Sequence, residues 1–197
     1  MGPLLAVLTP ISQVNEHMLR FGRSIGAVAM ALMVVAILIQ VFFRYILNNA
    51  LPWPDEAARF FMLWMTGLMA PTAFRRGGFV AIDMLLVALP RVLGSVINIC
   101  LLLLSLLVLV VASNIGYNEV TGFGGRFTTA ALYIPTAFDF SEYMRVPRSW
   151  MMASLLVGVW MLVSVNVELI LRAIIALFGG KDRMIPIPEA VSIGGSD

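Results

Sequence analysis

The order of apolar and polar positions divides the chain into four long apolar segments. The first, SIGAVAMALMVVAILIQVFF at 24–43, carries no charge. At about 20 residues and 1.5 Å of rise per residue, it matches a hydrocarbon core of about 30 Å. Two comparable segments, 92–112 and 150–171, follow the helix-starting prolines Pro90 and Pro147. The stretch PWPDEAARFFMLWMTGLMAPTAFRRGG at 52–78 is less obvious, because its unbroken apolar run begins only at Phe60 and ends at Phe74. That run is too short to span. A helix drawn from Pro54 to Phe74 is about 31 Å long and restores the length. Pro54 suits a first helical turn, and Asp55 and Glu56 sit where carboxylates favour the positive end of the helix dipole. Arg59, at i+4 from Asp55 and i+3 from Glu56, can pair with either or extend toward lipid headgroups. The pattern therefore predicts spans over 24–43, 54–74, 92–112 and 150–171.

Between the second and third spans, GGFVAIDMLLVALP is too short to cross and is interrupted only by Asp83. It reads as an amphipathic helix lying in the interface. Residues 113–149 form a long outer loop rich in glycine and aromatic residues, and 173–197 a flexible tail. The fold class is all-α integral membrane, one four-helix domain over 1–197.

Composition strengthens this reading. The chain of 197 residues is 60% hydrophobic and 12% charged, with mean hydropathy +0.95, whereas soluble domains carry about 25% charged residues. Lipid is the natural solvent for such a surface. A net charge of +2 without a basic block gives no reason to expect nucleic acid as a partner.

The charges also set an orientation. Four spans place both termini on one side, with Arg20, Arg23, Arg75, Arg76, Arg91, Arg172, Lys181 and Arg183. The other side holds Arg44, Arg59, Arg126, Arg145 and Arg148. The positive-inside rule puts both termini in the cytoplasm, and Arg75-Arg76 weigh most because they abut a span in a short loop. Tyr45, Trp53, Tyr143 and Trp150 fall where an outer aromatic belt would. The amino terminus lacks the charged region and long apolar core of a cleaved signal peptide, and Ala6 breaks the myristoylation pattern.

Chemistry is sparse. The single cysteine, Cys100, excludes an internal disulfide or cysteine metal cluster and reads as a buried, inert thiol. His17, the one histidine, precedes the first span and reads as solvated. No metal, cofactor or catalytic set is expected within the spans. Asn98 and Asn166 are expected to bond to neighbouring helices, and Glu168 to pair with Arg172 at i+4. These features describe a scaffold and not an enzyme.

The stretch FFRYILNNALPWPDEAARFFMLWMTGLMAPTAFRRGGFVAIDML resembles the small membrane subunit of tripartite ATP-independent periplasmic (TRAP) transporters. The resemblance is carried by Arg44, Tyr45, Trp53, Asp55, Glu56, Arg59 and Trp64, then by the Arg75-Arg76-Gly77-Gly78 turn and Asp83. It implies a bacterial inner-membrane protein without cofactor, packed against lipids and a large membrane subunit that carries the substrate and sodium sites. A soluble periplasmic binding protein would deliver an organic acid to the pair, and the small subunit would steady the large one and help the binding protein dock. Phe79 and Ala81 stand where the family commonly has histidine and a basic residue, and the region around Tyr133–Pro135 and Arg145–Pro147 departs from the family. These differences motivate an alternative: an accessory subunit of another membrane complex, photosynthetic or respiratory, recruited from a TRAP-like protein.

Overall fold

The structure is a computed structural model that describes residues 2–77, 91–135 and 143–178. Its elements are α1 (Gly2–Tyr45), α2 (Trp53–Arg75), α3 (Arg91–Thr121), a 3-10 turn (Phe123–Arg126), β1 (Thr128–Pro135), β2 (Tyr143–Pro147) and α4 (Arg148–Leu177). The largely helical expectation holds. Among the described residues, three helical stretches are long and apolar enough to cross a membrane: Ala6–Tyr45, Leu93–Thr121 and Arg148–Leu177. Helix α2 matches the expected 54–74 helix almost to the residue, but Asp55, Glu56, Arg59 and its threonines keep it less apolar than those three.

Helix α1 begins far ahead of the expected position 24. Its 44 residues extend about 66 Å, twice a hydrocarbon core. One narrow stripe explains how it is held. Leu8, Ser12, Asn15, Leu19, Gly22, Gly26, Ala29, Ala36 and Gln40 are buried, with half-buried Met33 filling the single gap. The steps alternate between three and four residues, as in a coiled-coil seam. Most of these side chains are small, which lets the backbones approach. A Cβ on Gly22 would stand 3.3 Å from the Leu68 carbonyl oxygen, and one on Gly26 2.9 Å from Met69.

Helix α1 packs on α2, α2 on α4, and α4 on α3, while α1 also reaches α4. Helices α2 and α4 meet at Gly67 and Gly158, where a Cβ on Gly158 would stand 2.8 Å from the Gly67 Cα. Beside this crossing lies the apolar core of Leu19, Leu68, Met161 and Val165, bordered by Trp64, Phe74 and Leu169. The most apolar stretch of α3 has no buried residue. Cys100, expected to be buried, is exposed for that reason: α3 packs along α4 and leaves its other sides open.

The described parts of the expected loop 113–149 are structured. Helix α3 continues to Thr121, with buried Gly116 against Leu156. Strands β1 and β2 then form an antiparallel pair, with Tyr133 opposite Arg145 and Thr128 opposite Pro147, and an irregular register between Thr128 and Tyr133. Both prolines sit at strand ends, where no ladder hydrogen bond is lost. At the other end of the molecule α4 runs to Leu177, four residues past the expected start of the tail at Ala173. The interfacial helix expected after Gly77, Asp83 and the segment from Gly179 lie outside the described residues.

Candidate functional site

Two polar arrangements tie the helices together, one at each end of α2. At its Arg75 end, a buried ionic network joins α1, α2 and α4. Glu168 is 0% exposed and Arg75 5%. Arg75 grips Glu168 as a fork, Nε to Oε2 at 3.1 Å and Nη2 to Oε1 at 2.9 Å. This bidentate geometry is the strong form of an arginine–carboxylate contact. Arg75 also donates to the Glu16 carboxylate and, from Nη2, to Ser12 Oγ at 3.1 Å and its carbonyl oxygen at 3.3 Å. The expected Glu168–Arg172 pair forms as well, Nε to Oε1 at 3.0 Å, and Arg172 Nη2 donates to Ser12 Oγ at 3.0 Å.

Asn15 completes the set. Its Nδ2 donates to Glu168 Oε2 at 2.8 Å, while its Oδ1 accepts from Ser164 Oγ at 2.6 Å. Two guanidinium groups thus face two carboxylates, and Arg20 and Arg23 lie 3.8 Å from the outer one, Glu16. Breaking a buried pair by removing one partner leaves an uncompensated charge and costs about 3–5 kcal/mol. The network therefore strongly opposes separation of the three helices. Sequence reasoning found Glu168 and Arg172 but missed Ser12, Asn15 and Glu16. Their one signal was the three-four spacing of Leu8, Ser12, Asn15 and Leu19, which contains too many polar residues to register as an apolar stripe.

At the Trp53 end, Glu56 clamps the hairpin. Its carboxylate accepts the backbone N–H groups of Ala130, at 2.8 Å, and Ala131. Within the hairpin, Thr129 Oγ1 donates to the Val146 carbonyl oxygen at 2.9 Å. The Arg148 N–H donates to the Phe127 carbonyl oxygen at 2.8 Å and binds the start of α4 to the preceding turn.

This clamp corrects one expectation. Glu56 is turned to the hairpin, and Asp55 accepts from Gln40 Nε2 at 3.4 Å. Arg59 is exposed and forms no ion pair with a described residue. The other residues are scattered. Arg44 lies over the Tyr45 ring at 5.9 Å, and Tyr45 is 71% exposed. Trp53 is exposed beside buried Pro54. Trp64 is half-buried against the core, its indole N–H buried without a partner among the described residues. Arg76 is exposed and ends α2, its backbone N–H donating to the Thr72 carbonyl oxygen at 3.2 Å. Asn166, expected to bond across helices, has both amide atoms buried and unpartnered among the described residues. His17 is exposed as expected, donating from Nδ1 to the Gln13 carbonyl oxygen at 2.9 Å.

Among the described residues, no group of three or more His, Cys, Asp or Glu could hold a metal ion. What the arrangement does is mechanical: it fixes register at one end of α2 and the hairpin at the other. Residues 33–176 fit the family described as the DctQ component of tripartite ATP-independent periplasmic transporters. No curated protein and no solved structure matches.

Proposed function

Because the chain belongs to the DctQ family, the small membrane subunits of TRAP transporters, we propose that it serves as the non-catalytic scaffold of a sodium-coupled organic-acid uptake system. Helices α1 to α4 each cross the inner membrane, with both chain ends in the cytoplasm. In favour of a fourth crossing, α2 has 23 residues, about 35 Å, with Arg75-Arg76 at its cytoplasmic end. The large membrane subunit holds the substrate and sodium sites, and a periplasmic binding protein delivers the acid.

The observation that carries this reading is the network around Glu168. Buried ionic groups inside a membrane protein commonly mark a solute or proton path. Here Arg75, Arg172, Glu168, Glu16, Ser12 and Asn15 are engaged with one another across three helices. That use of buried charge suits a part whose task is to hold shape. At the other end, the hairpin clamped by Glu56 gives the outer face a fixed surface on which a binding protein can settle.

The test is reconstitution. Proteoliposomes would receive the large subunit, this chain, or both, with an inward sodium gradient and binding protein charged with labelled dicarboxylate or sialic acid. Uptake is expected only with both membrane subunits. Uptake by this chain alone, or full uptake by the large subunit without it, would overturn the proposal.

A further inference from the structure

We propose that the unpartnered face of α2 is where a transmembrane helix of the large membrane subunit docks, bringing an acidic side chain to Arg59. This rests on the transporter reading above and adds which surface meets the partner. Asp55, Arg59, Met62, Thr66 and Ala73 are exposed on α2, and half-buried Ala70 lies in line with them. They recur at steps of three and four residues, the period of a knobs-into-holes seam. The opposite side of the helix, with Pro54, Ala57, Leu68, Pro71, Thr72 and Arg75, is buried within this chain.

The composition of the exposed seam separates protein from lipid as its occupant. Lipid-facing surface is easily recognised on α3, which exposes Leu103, Leu104, Leu107, Val108, Val111 and Ile115. The α2 seam instead carries a carboxylate, a guanidinium, a hydroxyl and two alanines. Among the described residues, Arg59 has no ion pair and Asp55 has only Gln40. Arginine can reach headgroups from near a helix end, but Thr66 lies two turns further along, near the middle of α2, and Ala70 and Ala73 carry the seam on toward its Arg75 end. Small residues there leave a shallow channel that a second helix fills closely. A second copy of this chain is a poor occupant: a parallel two-fold pairing sets Arg59 against Arg59 and Asp55 against Asp55 at one depth. A helix with the opposite charge order meets both.

The experiment uses the full chain co-expressed with the large subunit, with the photoreactive p-benzoylphenylalanine at Met62, Ala73 or, for comparison, Leu107. Adducts to the large subunit are expected from Met62 and Ala73 at about tenfold the yield from Leu107, as close packing against bare lipid contact requires. In parallel, Arg59→Glu should lower recovery of the large subunit in mild detergent about tenfold, as reversing a desolvated interface charge does. Arg59→Lys should retain most of it and Arg148→Glu all of it. Because Arg59 makes no ion pair with a described residue, Arg59→Glu should melt with the wild type when purified alone. Adducts at Met62 and Ala73 only to lipid or to a second copy, or equal yields from Leu107, would overturn the assignment of this face. Failure of the wild-type chain to co-purify with the large subunit would instead overturn the transporter reading itself.

Discussion

Glu168 is the single side chain on which most of the ionic network converges. It accepts from Arg75, Arg172 and Asn15 at once, donors drawn from three helices. Glu168→Ala takes the buried carboxylate from two guanidinium groups, leaving Arg75 with Glu16 alone, and should destabilise the purified chain by about 3–5 kcal/mol. Glu168→Gln keeps part of the hydrogen bonding and should cost less. Thermal melting in a mild detergent measures both, and a Glu168→Ala loss below about 1 kcal/mol would mean that the network is only a surface feature. Arg59→Ala is the counterpart. An exposed side chain without an ion pair to a described residue should shift the same melt by no more than about 0.5 kcal/mol.

Helix contacts depend on where glycine is placed. At Gly158 a Cβ would come 2.8 Å from the Gly67 Cα, a backbone atom that cannot move aside. Gly158→Ala should therefore cost about 1–3 kcal/mol through overpacking of α2 against α4. At Gly116 the nearest atom would be the Leu156 Cδ1 at 3.4 Å, an ordinary contact, so Gly116→Ala should be neutral or gain up to about 1 kcal/mol of helix propensity. Equal melting temperatures for the two variants would count against the close crossing. The hairpin depends on one carboxylate. Glu56→Ala removes two charge-assisted bonds to Ala130 and Ala131, each worth about 1.5–3 kcal/mol. Limited proteolysis should then cut within 128–147 while the helices persist, and an unchanged digestion pattern would show that the hairpin holds itself.

These elements were unequally legible. Helix α2 was read almost to its ends because Pro54, Asp55 and Glu56 mark a start and Arg75-Arg76 a stop. The first half of α1 was not, since Thr9, Pro10 and a run of polar side chains hide a seam whose buried members include serine and asparagine. The hairpin escaped because the irregular register between Thr128 and Tyr133 breaks the two-residue alternation that signals a strand. The network was half legible: the Glu168–Arg172 spacing is local, whereas Arg75 meets Glu168 across 93 residues of sequence.

In the molecule as a whole, among the described residues, α1, α2 and α4 contact one another and α3 packs chiefly along α4. Its ends differ: the network lies at one and the hairpin at the other. In the proposed topology, with Cys100→Ala as background, Ala130→Cys should react in intact cells with a maleimide that cannot cross the membrane, and His17→Cys should not. Labelling of His17→Cys would reverse the orientation. The open flank of α3 leaves this subunit dependent on surroundings that soluble proteins do not need, either lipid or protein along its length.

The separation of Arg75 from Glu168 also has a meaning in time. Synthesis at about 5–20 residues per second delivers the acid some 5–20 s after the base. During that interval Glu16 is the one carboxylate of the network already made. An incompletely neutralised Arg75 would resist being drawn into lipid and would anchor the half-finished chain at the surface it entered from. Arrival of the last helix then discharges that anchor and closes the site, so a message truncated before codon 168 should yield a polypeptide that inserts but is recognised by quality-control proteases as unfinished.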